Sequence, residues 1–143
     1  MISIADIALN AGYAAAYAGV GIFLMLVSFA VVDVLTPGDL RRQLWADRNR
    51  NAGILVGSNL FAVALIVTAA IFASEGRLAV GLTFTVIYTL IGLAAMILTF
   101  VVIDLFTPGK LGELVIDPQP HPAVWVHGVA HVGVALIIAA SIL

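Results

Sequence analysis

YAGVGIFLMLVSFAVVDVLTPG, residues 17–38, recurs as YTLIGLAAMILTFVVIDLFTPG, residues 88–109. The matches that a bias toward aliphatic residues cannot produce are Tyr17/Tyr88, Gly21/Gly92, Met25/Met96, Phe29/Phe100 and Asp33/Asp104. Thr36-Pro37-Gly38 then pairs with Thr107-Pro108-Gly109. Tyr, Gly, Met, Phe and Asp fall every fourth residue, so on a helix they trace one slowly drifting stripe. Thr-Pro-Gly ends that helix, because the residue before proline is pushed out of the α region and glycine readily takes positive φ.

Around these stretches lie four long uncharged runs, Ile7–Val32, Asn51–Ser74, Leu78–Ile103 and Pro118–Leu143. Each exceeds the ~20 residues that a helix needs to cross a hydrocarbon core of ~30 Å at 1.5 Å per residue. The chain is 63% hydrophobic and 10% charged over 143 residues, with a mean hydropathy of +1.18, too few charges to clothe a water-exposed surface. These features predict an all-α membrane protein with four transmembrane helices. The first run lacks the basic leader and short apolar core of a cleavable signal peptide, so it is expected to remain as a helix.

The likeness extends beyond the quoted stretches. Residues 11–72 align without a gap on residues 82–143, and 18 of the 62 pairs are identical; chance matching in this composition would give roughly a tenth. A single membrane domain, 1–143, is therefore expected to consist of two tandem parallel two-helix repeats, related by a pseudo-twofold axis along the membrane normal. Inverted repeats mark many alternating-access transporters, and this arrangement differs from theirs. Arg41, Arg42, Arg48 and Arg50 in one connection and Lys110 in the other, against Arg77 alone on the far side, place both connections in the cytoplasm. The N-terminus, the Glu75–Arg77 turn and the C-terminus are then outside. Asn49 and Asn51 are expected caps for the second long helix, Glu75-Gly76 closes the outer turn, and Pro122 suits the first turn of the fourth helix.

Polar side chains within such helices are costly and therefore informative. Asp33 and Asp104 lie about one turn inside the ends of helices one and three, where a carboxylate opposes the helix dipole. Each needs a partner or a protonated state. One reading is an ion pair or cap with Arg41, Arg42, Arg48, Arg50 or Asn51, with Asp104 drawing its partner from the first repeat. The other is a cation or proton site at a cytoplasmic mouth. Asn59, His127 and His131 are predicted to share one layer in the cytoplasmic half of the bundle. His127 and His131, four apart on one helical face, have the spacing of two ligands to one metal, yet no Glu, Asp or Cys accompanies them on that helix. Interhelical hydrogen bonds are the alternative. No metal and no cofactor is assigned.

Small residues mark expected close approaches: Gly21 and Gly92 in the stripe, Gly53 and Gly57 as a GxxxG motif, and Gly128 at the position matching Gly57. The partner of the GxxxG face is either the fourth helix or another subunit. The net charge of -2 and the lack of a basic stripe argue against nucleic acid, and the absence of cysteine excludes disulfides and thiolate chemistry. No phosphate-binding loop, GxSxG, HExxH or acid–base carboxylate pair is present.

Leu35-Thr36-Pro37-Gly38, then Asn51-Ala52-Gly53 with Gly57 following, and Phe106-Thr107-Pro108-Gly109 resemble the YjfL-type small bacterial transmembrane proteins of unknown function. The second half departs from that pattern, carrying His121-Pro122-Ala123 in place of Asn-Ala. The resemblance implies four helices in the bacterial cytoplasmic membrane and brings no catalytic residues. The expected role is non-enzymatic, an assembly or accessory component in contact with the lipid bilayer, as a homo-oligomer or a subunit of a larger membrane complex. Two alternatives stand beside it: a small channel or permease for cations or polyamines using Asp33 and Asp104, and a metal- or haem-binding subunit using His127 and His131.

Overall fold

The computed structural model describes residues 3–74 and 77–143. All regular structure among them is helical: α1 Ile4–Leu35, α2 Leu40–Trp45, α3 Arg50–Phe72, α4 Leu78–Phe106, α5 Leu111–Ile116 and α6 Pro122–Ile142. The four long helices are each long and apolar enough to cross a membrane. At 1.5 Å per residue α1 and α4 are about 48 and 44 Å long, α3 and α6 about 35 and 32 Å. The Glu75-Gly76 turn lies outside the described residues.

Local chemistry sets the boundaries. Ser3 and Asp6 form a reciprocal capping box that opens α1. The Thr-Pro-Gly segments end α1 and α4, with Thr36 and Thr107 as the extended C-caps and Gly38 and Gly109 at φ +89° and +94°. Each of the two connections contains a six-residue helix, too short to leave a periodic pattern in the sequence. Asp39 caps α2 by accepting from the Arg42 backbone N–H at 3.0 Å. The residue that precedes α5 is Lys110, which cannot accept, and its place is taken by Asp104, whose Oδ1 receives the Leu111 N–H at 2.6 Å. Asn49 caps α3, and Pro122 opens α6 behind His121, whose Nδ1 accepts from Ala123.

The bundle is a skewed square. α3 and α4 lie on its short diagonal, each touching the other three long helices, while α1 and α6 stand apart at the remaining corners. One apolar cluster, including Leu24, Val63, Ile66, Leu93, Met96 and Ala135, fills the centre. A second, with Val32, Leu40, Leu55, Val115 and Val124, seals the end where the connections fold back. Large side chains such as Phe23, Leu98, Val129 and Ile137 point outward. In water that surface would be prohibitive, whereas in lipid it is solvated.

Asn51 is not the cap of α3. Its amide nitrogen lies within 3.1 Å of the carbonyls of Leu114, Asp117 and Gln119, and its Oδ1 accepts from the His121 N–H at 3.1 Å. Asn49 Nδ2 adds a bond to the Val115 carbonyl at 2.9 Å. Two residues of the first half thus hold the second connection. The positions that match them in the second half are Pro120 and Pro122, which have no amide to return the contact.

Candidate functional site

All four long helices converge on a small, partly open cavity of about 20 Å³, room for one group the size of a water molecule. Val32 and Thr36 of α1, Asn59 of α3, Met96 and Phe100 of α4 and His131 of α6 are among the residues on its wall. Thr36 is there because the Thr-Pro step ends α1 at that level, leaving its hydroxyl pointing inward. Asn59 is buried and donates to the Ser28 hydroxyl, which ties α3 to α1.

His127 and His131 are fully or almost fully buried on the inner face of α6. Their rings meet edge to face with centroids 4.1 Å apart, and Phe100 closes on His127 at 5.0 Å. Among the described residues no nitrogen of either imidazole completes a hydrogen bond, although the Met96 backbone approaches the His131 ring. The Thr36 and Thr89 hydroxyls are likewise buried without a partner. Unpaired buried polar atoms cost ~1–3 kcal/mol each, so the gathering of Thr36 and the two histidines at this level is a departure from simple packing.

Asn59 and His131 share the cavity and His127 adjoins it, but neither Asp33 nor Asp104 lines it. Among the described residues neither aspartate pairs with or caps onto Arg41, Arg42, Arg48, Arg50 or Asn51. Asp33 is half-buried and makes no hydrogen bond or ion pair among the described residues, where the one salt bridge is Arg42–Asp47 at 3.7 Å between exposed groups. Asp104 does not draw on the first half; it caps α5 in its own connection. Among the described residues no third His, Cys, Asp or Glu joins the two histidines in a metal-sized group. Both rings lie on one helix and against each other, so they cannot stand on opposite faces of a haem.

The glycines divide. Cβ atoms added at Gly21 and Gly92 would touch Val67 and collide with Ile66, and one at Gly128 would lie 3.1 Å from the Ser58 hydroxyl. Gly53 and Gly57 do not bring helices together within the chain: both are exposed, and an added Cβ would meet nothing within 4 Å. α3 packs on α6 through Ile54 and Ser58 instead. Sequence reasoning missed Gly81, where a Cβ would collide with the Tyr17 hydroxyl and stand 2.6 Å from Ser74. It also missed Thr36 as a lining residue, reading it only as a helix terminator.

Residues 6–142 match the family model described as Domain of Unknown Function, DUF350. The chain is 36% identical over 123 residues to UPF0719 transmembrane proteins of Mycobacterium bovis and Mycobacterium tuberculosis, an alignment covering 86% of this chain and 81% of each relative. It is also 36% identical over 106 residues to a UPF0719 transmembrane protein of Mycolicibacterium paratuberculosis, covering 74% and 70%. No solved structure matches.

Proposed function

This chain belongs to the DUF350 family, and from that premise we propose that it works without catalysis, as a multi-pass component that assembles in the bacterial cytoplasmic membrane. It does so with copies of itself or as a subunit of a larger membrane complex. The observation that carries this reading is the outward GxxxG face. Lipid tails are as apolar as leucine, so helices associate where small residues let backbones approach. Gly53 and Gly57 offer such an approach, in a shallow groove shared with Trp125, Gly128, Val129 and Val132, and none of the described residues fills it. The arginine-bearing connection and Lys110 support a cytoplasmic placement of both connections, with both termini outside.

The reading in which Asp33 and Asp104 guide cations draws no support from the arrangement, since neither lines the central cavity and the centre is filled by Leu24, Ile66, Leu93 and Met96.

Native mass measurement of protein extracted into nanodiscs tests the proposal. A species larger than one chain is expected, and Gly53→Ile with Gly57→Ile should return it to the single-chain mass while leaving its helix content unchanged, because the added atoms meet only open space. A strict monomer that copurifies with no other protein would overturn it.

A further inference from the structure

Outside the GxxxG face, Ile22, Met25 and Phe29 of α1 and Leu60 of α3 wall a separate groove of about 480 Å³ that opens on the lipid-facing surface. Its walls run roughly 10 Å along α1, the rise of residues 22 to 29. The end nearest the connection is framed by two side chains of α2, Arg41 and Trp45, four apart and so on one helical face. Trp45 leans edge-on against Phe29, with centroids 6.4 Å apart, yet stays 72% exposed. Arg41 makes no ion pair or hydrogen bond among the described residues; its neighbour Arg42 is the one that pairs with Asp47.

The second half shows how specific this is. Seventy-one residues on, Leu93, Met96, Phe100 and His131 take the places of Ile22, Met25, Phe29 and Leu60, and they line the much smaller central cavity of about 20 Å³. There the matches of Arg41 and Trp45 are Gly112 and Ile116. Only the half whose groove faces lipid carries a free cation and an indole at its rim.

We infer that this groove is a binding site for one anionic phospholipid, with the headgroup phosphate on Arg41, the indole of Trp45 at the glycerol level and an acyl chain lying along α1 toward Ile22. Guanidinium pairs with phosphate bidentately, and indoles settle at the membrane–water interface. Charge complementarity selects an anionic headgroup over a zwitterionic one, whose own cation repels Arg41. The site is independent of the proposed assembly face, which lies between α3 and α6.

The test uses the full chain with Trp125→Phe, which leaves Trp45 as the sole tryptophan, in vesicles that mix phosphatidylglycerol and phosphatidylcholine with one or the other brominated. Brominated phosphatidylglycerol should quench Trp45 as though enriched roughly fivefold at the groove, the weight of one interfacial cation. Arg41→Gln should abolish that preference, and Lys110→Gln, which removes a cation from the other connection, should keep it, with helix content confirming the fold of each variant. Equal quenching by both lipids, an equal loss of preference in the two variants, or a Trp45 shielded from both lipids by a second copy would each overturn the inference.

Discussion

The side-chain oxygen of Asn51, in the first turn of α3, accepts the backbone N–H of His121 at the threshold of α6, 3.1 Å away across the bundle. That bond, with the three carbonyls facing the same amide, ties together segments 63 to 70 residues apart, whereas the one salt bridge among the described residues, Arg42–Asp47, is local and exposed.

Asn51→Ala is expected to cost about 2–3 kcal/mol, because it strands several backbone groups at once. Asn51→Asp, though nearly the same shape, should cost at least as much, since a carboxylate turns an acceptor toward three carbonyls. Thermal unfolding in detergent, followed by far-ultraviolet circular dichroism, ranks the two.

Gly81→Ala should cost about 1–3 kcal/mol through overpacking. Part of that cost should vanish in a Tyr17→Phe background, where the colliding hydroxyl is gone, so a double-mutant cycle reads a favourable coupling. Gly19→Ala, with open space beside it, should be neutral or add up to ~1 kcal/mol from helix propensity.

His127→Leu should leave the unfolding free energy unchanged or raise it by about 1 kcal/mol, since it removes two buried nitrogens that lack partners, and His131→Leu, which also gives up the approach of the Met96 backbone, should raise it less. A loss above that size in the same unfolding assay would mean that a bound group engages the imidazoles.

Asp104→Ala should speed backbone hydrogen exchange in 111–116 and cost ~1 kcal/mol, the worth of a lost cap. Asp33→Ala, at the matching position, should change neither exchange in 40–45 nor stability, because Asp39 already caps α2.

Long uncharged runs and the Thr-Pro-Gly terminators made the four crossings legible from the sequence, since both act through local rules. The connections were opaque for the opposite reason. Six-residue helices such as Leu40–Trp45 have no periodicity to detect, and their stability comes from burying Leu40, Leu111 and Val115 against distant helices. Asn51 reads locally as a cap, and only the fold brings the 114–121 backbone within reach. The aspartates show the same limit: identical residues in matching positions face different surroundings because Asp39 and Lys110 differ. Of the candidate site, the shared placement of Asn59 and His131 followed from counting turns. Whether their polar atoms would find partners depended on side-chain directions that no count supplies.

The pairing of two long helices with two short ones has a consequence for the surrounding lipid. Counting only their uncharged residues, α1 and α4 run about 39 Å and α3 and α6 about 33 and 32 Å, which one bilayer thickness does not match with all four helices upright. The long pair leans, extends its ends into the headgroups or draws the leaflets thicker on its side, at a fraction of a kcal/mol for each ångström of mismatch. The molecule thus carries its own gradient of membrane thickness around its circumference. Membranes of different acyl length will sort it and set its tilt, even with every contact inside the bundle unchanged.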